Sequence, residues 1–353
     1  MKRVAVLGVT GSIGRQALEI VESHPGLELA AAASGSQPID GLAPLTQVGG
    51  DLTELLDRAE PDVVLNAVVG FAGLPATLWA LERGVTLALA NKESLVAAGE
   101  LALQARERGG GLLLPVDSEH SAAFQCLEGR SPEQVDSLVL TASGGPFRGR
   151  ARDELEDVTP EDALAHPTWR MGPKITVDSA TLANKGLELL EAHFLFGLSY
   201  ERIEVVLQPT SVVHALVRFR DGAALAHLGY PDMRVPISFA LTYPERAPTP
   251  IAPLDFSQGL VLEFEPPDLE TFTLLALARH AGERGGTFPC AFNAANEVAV
   301  AAFLEGRLPF LGIAATVEEA LTEVDGAAAR DLADLLEADA EARRLAEKGM
   351  KVA

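Results

Sequence analysis

The 353-residue chain is poor in aromatic residues, cysteine and positive charge. Aromatic residues make up only 5% of it, so aliphatic side chains must build most of its core. Its two cysteines, Cys126 and Cys290, lack the spacing of a metal or redox motif, which predicts buried thiols in a reducing compartment. With 28 basic against 50 acidic residues the net charge is −22, and we expect no nucleic-acid partner because binding phosphates needs a basic face.

The chain also lacks a long apolar run. No stretch approaches the roughly 20 residues that a membrane-spanning helix needs, so we expect no membrane partner. The start, MKRVAVLGVT, combines basic residues with an apolar run, but Gly8, Gly11 and Gly14 interrupt that pattern and no small-residue cleavage site follows. This start predicts a strand and a turn rather than a signal peptide, and we expect a cytoplasmic protein.

Apolar strands and helical patterns alternate along the first third of the chain. Continuous apolar strands separated by helices, over residues 1–115, predict an α/β domain with a parallel sheet covered on both faces. Residues 116–245 mix strands with a helix expected from Ser179 to about Phe196, which predicts an α/β catalytic domain. The proline-rich residues 246–270 predict a linker, and residues 271–353 predict a C-terminal helical domain.

A glycine-rich turn follows the first predicted strand. Residues 8–14 read GVTGSIG and lead directly into a predicted helix. Glycines at these positions allow a tight turn and a close approach of the backbone to a pyrophosphate, which then lies over the N-terminus of the helix. The strand, turn and helix together predict a Rossmann-like dinucleotide-binding domain; the alternative is a turn with a purely structural role.

The segment that selects between NAD and NADP is uncharged. In an NAD-specific site an acidic residue at the end of the second strand, about 20 residues after the turn, binds a ribose hydroxyl. Residues 33–37 read ASGSQ at this place, so they offer neither that acid nor a basic residue for the 2′-phosphate of NADP. The hydroxyls of Ser34 and Ser36 remain as donors, and they would bind a phosphate more weakly than a basic side chain does.

Two carboxylates follow a predicted strand in the segment GLLLPVDSEH. On an extended chain, residues two apart share a face, so Asp117 and Glu119 are expected to point the same way. Paired carboxylates repel each other unless a cation neutralises them, and hard divalent cations prefer such oxygen ligands. The pair therefore predicts a metal site; the alternative is a solvated strand end.

The helix expected from Ser179 adds three polar residues to this picture. Asn184, Lys185 and Glu188 lie within one turn, beside the apolar stripe of the helix. They would provide an amide donor, a cation and a third carboxylate to one cleft. The alternative is a lysine–glutamate pair on the surface.

Two loops have the composition of ligand-binding segments. The loop around Ser143, TASGGPF, follows a strand and offers hydroxyl and backbone donors to an anion, although similar loops occur without a ligand. Residues 166–174, HPTWRMGPK, contain two prolines and a glycine and predict irregular structure. Because tryptophan, methionine and histidine are costly to expose, this loop predicts a lid over a ligand. The alternative is a loop packed permanently on the body of the protein.

Several long and rare motifs are spread over nearly the whole chain. They are GVTGSIG, ANKESLV, PVDSEHSA, LTASGGPF, HPTWRMGPKITVDSATLANKGLE, VRFRDGAALAHLGYPDMRVPI and NAANEVAVAAFL. In these motifs and in their order, the chain resembles the 1-deoxy-D-xylulose 5-phosphate reductoisomerases of the non-mevalonate isoprenoid pathway.

The resemblance implies a role for each matching residue. Catalytic roles are implied for Lys185, Asp117, Glu119 and Glu188. One Mg²⁺ or Mn²⁺, with Co²⁺ as a further candidate, has the implied ligands Asp117, Glu119 and Glu188. The residues implied to bind a phosphorylated small-molecule substrate are Ser118, Glu119, Ser143, His166, Trp169, Met171, Ser179, Asn184, Lys185 and Glu188. The residues implied to bind NADPH are Thr10, Gly11, Ser12, Ile13, Gly35, Ala90, Asn91, Lys92, Glu93 and Gly172. His120 and His214 match histidines implicated in the family's activity.

The resemblance also implies the reaction and the assembly. A divalent metal would chelate the ketone and a neighbouring hydroxyl of the substrate, the carbon skeleton would rearrange, and NADPH would reduce the resulting aldehyde to 2-C-methyl-D-erythritol 4-phosphate. Strands of the catalytic domain would form a homodimer. Two rival hypotheses remain, an ordinary NAD(P)-dependent dehydrogenase that does not need the three carboxylates and a non-catalytic redox sensor that binds NADPH.

Overall fold

The computed structural model describes residues 1–257 and 259–350. Its strands are β1 (Lys2–Leu7), β2 (Leu27–Ser34), β3 (Leu45–Val48), β4 (Val63–Asn66), β5 (Thr86–Leu89), β6 (Leu113–Pro115), β7 (Val135–Ala142), β8 (Ile203–Leu207), β9 (Val213–Phe219) and β10 (Ala224–Leu228). Its α-helices are α1 (Ser12–Ser23), α2 (Leu52–Ala59), α3 (Leu74–Glu82), α4 (Lys92–Gly109), α5 (Ser118–Leu127), α6 (Pro160–Leu164), α7 (Pro173–Ala180), α8 (Ala183–Phe196), α9 (Arg234–Thr242), α10 (Leu274–Arg284), α11 (Phe288–Leu304), α12 (Phe310–Glu323) and α13 (Leu332–Met350). Among these helices, none is long and apolar enough to cross a membrane.

The chain divides into two compact units. The first consists of residues 1–95, 99–128 and 232–255, and the second of residues 96–98, 129–231 and the chain from residue 256 onward. The domain boundaries predicted from the sequence, after residues 115, 245 and 270, stay predictions.

The first unit is built on a six-stranded parallel sheet in the order β3-β2-β1-β4-β5-β6. This is the strand order of a doubly wound Rossmann-like sheet, so the predicted fold class is confirmed. The apolar strands explain it, because a sheet covered on both faces leaves no side of a strand in water. Helix α9 packs on α1 and completes the core with Ile237, Ala240 and Leu241.

The connection from β2 to β3 is unusually short for parallel neighbours. A parallel crossover normally takes a dozen or more residues and contains a helix. Residues 35–44 make this crossover, and none of them is helical. Their side chains are mostly exposed, with Ile39 buried against the core.

The second unit combines a mixed sheet with a helical bundle. The sheet has the order β10-β9-β7-β8, with β7 and β8 parallel and the other pairs antiparallel. Helix α8 packs on α10, and α11 packs on both α12 and α13. The predicted helical C-terminal region is therefore confirmed.

The helix predicted from Ser179 to Phe196 is wrong at its start. The structure has two helices, α7 and α8, and Leu182 between them adopts a left-handed conformation with φ 61°. Nothing in Ala-Thr-Leu-Ala signals a break, and Leu182 is only 4% exposed, so tertiary packing imposes this conformation on the chain.

Two further local predictions need correction. Pro173 and Lys174 were expected in irregular structure, but they form the first turn of α7, where proline is well tolerated because its missing N–H would have no partner. The sequence predicts Glu119 on an extended chain, but it lies in the first turn of α5, two residues after the N-cap Asp117.

Both cysteines are buried, and neither forms a disulfide in the described chain. Burial raises the pKa of the Cys290 thiol to about 12, so this group stays protonated at neutral pH. The prediction of buried thiols is confirmed.

The glycine turn depends on close contacts that only glycine permits. Gly8 has φ +80°, and an added Cβ there would lie 2.4 Å from the carbonyl oxygen of Ala67. An added Cβ on Gly14 would lie 2.3 Å from the carbonyl oxygen of Gly8. The loops after β1 and β4 and the start of α1 therefore fit together only without these side chains.

We expect Gly14→Ala to lower the thermal midpoint of unfolding by several degrees in calorimetry. The added Cβ has no room beside Gly8, and overpacking of this kind costs about 1–3 kcal/mol. Gly35→Ala is the control, since nothing lies within 4 Å of a Cβ added there. Equal losses for the two variants would contradict the packing argument.

Candidate functional site

In the first unit, the N-terminus of α1 has no side-chain cap and is suited to binding an anion. Helix α1 begins after Gly11, and no side chain caps its first turn. Its N–H groups are therefore available to a ligand, and the helix dipole favours an anion there. The surrounding predicted cofactor residues are accessible, since Gly11 and Ser12 are exposed and Thr10 is half-buried.

Two asparagines shape the crevice beside this turn, where the strand order reverses between β1 and β4. Asn66, at the end of β4, donates hydrogen bonds to the Gly73 carbonyl at 2.8 Å and to the Thr77 hydroxyl at 3.0 Å. Asn91 donates to the carbonyl oxygens of Gly70, at 2.8 Å, and Val68. Ligands of doubly wound sheets bind at such a reversal, so this loop lines the place expected for a dinucleotide.

Asn66 is a residue of this crevice that the sequence analysis does not predict. It is fully buried and holds the loop whose carbonyl approaches Gly8. A polar residue that ends an otherwise apolar strand, VVLN, is the signal that indicates it.

A lysine and an aspartate meet at the carboxyl ends of β5 and β6. These strands are parallel neighbours, with Leu89 opposite Pro115. Lys92 follows β5 and Asp117 follows β6, so the Lys92 ammonium forms an ion pair with the Asp117 carboxylate. Lys92 is only 6% exposed, so the pair is largely shielded from water.

The residues after Asp117 add a hydroxyl, a carboxylate and an imidazole. The Ser118 hydroxyl donates to Glu119 Oε2 at 2.5 Å. His120 is fully buried, with Nδ1 4.0 Å from Asp117 Oδ2. The first unit thus holds Asp117, Ser118 and Glu119 together at one sheet edge, as the sequence predicts, although through a helix N-terminus rather than an extended strand.

The end of β2 and the segment after it contain Ser34 and Ser36, whose hydroxyls are the donors expected for a cofactor phosphate. Ser34 is buried and its hydroxyl donates to the carbonyl oxygen of Gln37, so in this conformation it is not directed at a ligand. Gly35 and Ser36 are exposed. Among the other predicted cofactor residues, Ala90 and Glu93 are half-buried beside Asn91, and Gly172 is exposed at the start of α7.

In the second unit, His166 lies at the centre of a cluster of donors. Its Nε2 is 3.0 Å from the Ser143 hydroxyl and 3.1 Å from the Ser179 hydroxyl. Its Nδ1 accepts backbone N–H bonds from Thr168 at 3.1 Å and Trp169 at 2.9 Å. Ser143, His166 and Ser179, three of the residues predicted to bind the substrate, are therefore brought together.

The two backbone donors fix the protonation of His166. A nitrogen that accepts two N–H bonds carries no proton, so in the neutral ring the proton is on Nε2, facing the serines. Burial lowers the pKa of His166 from its usual 6.5, which keeps the ring neutral at neutral pH. Two hydroxyls and one imidazole N–H thus converge, a donor set suited to phosphate oxygens.

Helix α8 places the predicted catalytic residues in its first two turns. Asn184 Nδ2 donates to Glu188 Oε1 at 2.5 Å, and the Lys185 ammonium forms an ion pair with Glu188 Oε2. Glu188 is 1% exposed and Lys185 is 3% exposed. The alternative, a lysine–glutamate pair on the surface, is wrong because both side chains are buried away from water.

Trp169 and Met171 lie in the irregular loop before α7, and both are half-buried. The Trp169 ring is 6.3 Å from the His214 ring, and the His214 ring is 5.8 Å from that of His227. The Thr168 hydroxyl donates to the Pro209 carbonyl at 3.4 Å. In this conformation the loop rests on the sheet of the second unit, and its closure over a ligand stays a prediction.

Comparison with known proteins places these features in one family. Family models described as 1-deoxy-D-xylulose 5-phosphate reductoisomerase match residues 4–49 and 45–99, and models of its C-terminal domains match residues 113–196 and 228–345. The reductoisomerase of Geobacillus kaustophilus is 50% identical over 97% of this chain and 98% of its own length.

Solved structures agree. The Zymomonas mobilis enzyme in complex with NADPH is 40% identical, with a TM-score of 0.90 over 99% of both chains. A DOX-P reductoisomerase in complex with NADPH, fosmidomycin and magnesium is 37% identical, with a TM-score of 0.92 over 100% of this chain and 99% of that chain. On this evidence the chain belongs to the 1-deoxy-D-xylulose 5-phosphate reductoisomerase family.

Proposed function

We propose that this chain converts 1-deoxy-D-xylulose 5-phosphate to 2-C-methyl-D-erythritol 4-phosphate, using NADPH and a divalent metal, in isoprenoid precursor biosynthesis. The observation that carries this proposal is that the second unit contains both a phosphate-type donor cluster and a half-buried amide next to a buried lysine and carboxylate. His166 with its two serines suits the phosphate, and Asn184, Lys185 and Glu188 suit the oxygen-rich reacting end.

The metal ligands in this proposal are Asp117 and Glu119 of the first unit and Glu188 of the second. All three offer carboxylate oxygens, the ligands that Mg²⁺ and Mn²⁺ prefer, and Glu188 is a buried anion whose charge a cation would neutralise. When bound, the metal supplies Lewis acidity toward the ketone and hydroxyl oxygens of the substrate. Co²⁺ has the same charge and is included as a further candidate.

All the contacts proposed for NADPH except Gly172 belong to the first unit. The pyrophosphate would lie over the uncapped start of α1, next to Thr10, Gly11, Ser12 and Ile13. Ala90, Asn91, Lys92, Glu93, Gly35 and Gly172 are the further contacts proposed for it. When bound, NADPH supplies the hydride that reduces the rearranged aldehyde.

The chain's own residues position the substrate. Ser143, Ser179 and the Nε2–H of His166 would bind its phosphate, and this remote contact supplies binding energy that orients the reacting carbons. Ser118, Asn184 and Lys185 would donate hydrogen bonds to its hydroxyl and carbonyl oxygens. Because the Lys185 ammonium faces Glu188, it would also stabilise negative charge that develops on an oxygen.

Trp169 and Met171 would cover the substrate and exclude water while the carbon skeleton rearranges. His120 and His214 are proposed to support this site from neighbouring positions. A cytoplasmic location belongs to the same proposal, since two buried thiols without a disulfide suit a reducing compartment.

We also propose a homodimer through the sheet of the second unit. Backbone hydrogen bonds between Leu207 and Glu265 place the segment 260–265 beside β8, at 2.7 and 3.0 Å. In this segment Val261 is 75% exposed and Phe264 is 45% exposed. Several exposed apolar side chains in one short segment are typical of an interface.

The first experiment measures oxidation of NADPH on addition of 1-deoxy-D-xylulose 5-phosphate and Mn²⁺, before and after excess EDTA. We expect turnover that EDTA abolishes. Glu188→Gln should lower kcat/KM by about 10²–10³-fold or more, the size of effect seen when one electrostatic contact to the reacting group is lost.

Glu201→Gln, on the exposed surface of the second unit, is the control. Turnover that survives EDTA would favour the ordinary dehydrogenase. NADPH binding without turnover of the metal-loaded enzyme would favour the sensor.

The tautomer of His166 is testable by ¹⁵N NMR of labelled histidine. We expect a protonated Nε2, an unprotonated Nδ1 and a pKa below 6.5, because burial disfavours the charged ring. The unfolded chain then binds more protons than the folded one as the pH falls below 6.5. The stability that His166 contributes is therefore present above that pH and is lost as the pH falls toward the folded pKa. A proton on Nδ1 at neutral pH would be inconsistent with this arrangement.

The double variant Val261→Asp/Phe264→Asp should shift the protein from dimer to monomer in light scattering, since charge opposes burial of this segment. Leu336→Asp is the matched control, because Leu336 is 51% exposed on α13. The dimer proposal is wrong if the double variant has the same mass in solution as the Leu336→Asp control, or if the unaltered chain is a monomer.

A further inference from the structure

A buried aspartate lies next to the proposed phosphate-binding serine. Asp178 is 1% exposed and precedes Ser179 on α7. A carboxylate in such a position is strongly destabilising unless the protein provides partners for both of its oxygens. None of the roles described above uses Asp178.

Each oxygen of Asp178 has a different partner. Oδ2 forms an ion pair with the Lys174 ammonium at 2.8 Å, one helical turn earlier on α7. Oδ1 accepts a hydrogen bond from the Asn296 amide at 2.8 Å, on α11. Asn296 belongs to the motif NAANEVAVAAFL and is fully buried. Asp178 therefore ties the start of α7 to the helical bundle.

Helix α7 joins the loop that contains Trp169 and Met171 to Ser179. Helix α7 starts directly after Gly172, so Lys174 lies in the helical turn that follows that loop. At the other end of α7, Gly145 packs closely against the Ser179 carbonyl. A Cβ added to Gly145 would lie only 2.8 Å from that carbonyl oxygen. The Ser179 hydroxyl is 3.1 Å from His166 Nε2, and a small rotation of α7 would lengthen this distance.

Asn296 has a close counterpart that isolates this effect. Asn293 lies one turn earlier on the same helix, is also fully buried, and also has an Oδ1 that makes no hydrogen bond among the described residues. Its amide donates instead to Glu297 at 3.0 Å. The two asparagines thus have equal burial and an equal unsatisfied oxygen, but only Asn296 contacts Asp178.

We propose that Asp178 and Asn296 are positioning residues for phosphate binding, with Lys174 as their link to the loop. They act by holding α7, and through it Ser179 and the end of the loop, in the conformation that the phosphate needs. The identity of the substrate in this inference rests on the proposed function, whereas the phosphate site itself is testable without turnover.

The experiment compares Asn296→Leu with Asn293→Leu in the full-length enzyme. Both changes remove a buried amide and leave a similar volume, so both should lower the thermal midpoint. Only Asn296→Leu should weaken the affinity for inorganic phosphate. This affinity is measured from the rise of the thermal midpoint with increasing phosphate concentration. We expect a loss of about ten-fold, the size of one hydrogen bond to a charged group.

In turnover, Asn296→Leu should raise KM for 1-deoxy-D-xylulose 5-phosphate by about ten-fold while kcat changes by less than about three-fold. Lys174→Met is a second variant, at a position 23% exposed, and should act in the same direction with less effect on folding. Equal phosphate affinity and equal KM in the two asparagine variants would overturn the inference. If the unaltered enzyme binds phosphate but does not turn over the substrate, the proposed function fails and the phosphate comparison still decides the role of Asp178.

Discussion

A carboxylate removed from water needs donors from the protein, and Glu188 receives its donors from its own helix. The ammonium of Lys185 and the amide of Asn184 lie one turn before it, and each contacts one of its oxygens. This arrangement requires a rigid, buried α8 that starts at a definite residue. The left-handed Leu182, the separate α7 and the packing of α8 on α10 all serve that requirement. A surface helix with the same sequence spacing would leave Lys185 and Glu188 hydrated, and their mutual attraction would be weak.

His166 shows how the backbone can determine side-chain chemistry. Thr168 and Trp169 direct their N–H groups at Nδ1 because the chain bends at Pro167 and Thr168, immediately after the histidine. The proton is therefore on Nε2, beside Ser143 and Ser179, before any ligand arrives. Such preorganisation avoids the reorganisation that a flexible cluster would need on binding an anion.

The sequence predicts the fold because its strongest signals are local and agree with the topology. The apolar strand VAVL, the glycine turn and the following helix each have one plausible structure, and together they require a parallel sheet. The candidate residues near Asp117 and Ser143 are predictable for a related reason, since each group is a run of polar or small residues directly after an apolar strand. The break at Leu182, the helical start at Pro173 and the helical position of Glu119 were not found. The conformation of the buried Leu182 depends on tertiary packing, and local propensity is too weak to indicate it. Pro173 and Glu119 both lie in the first turn of a helix, where proline and acidic residues are common, so their positions are compatible with local rules that the loop-like and strand-like patterns around them obscure.

The first unit is discontinuous in the sequence, and this has a consequence for biosynthesis. Ile237, Ala240 and Leu241 of α9 belong to the same core as β1 and α1, yet more than half of the chain separates them. During synthesis the parallel sheet can assemble early, while the apolar surface that α9 covers stays open until the chain has grown past residue 242. Chains of this kind expose apolar, aggregation-prone surface for as long as the ribosome takes to synthesise the intervening segment. Their core is completed only by contacts between residues far apart in the sequence. Truncations that stop short of α9 would therefore yield a nucleotide-binding domain with an unfinished core, however complete its glycine turn.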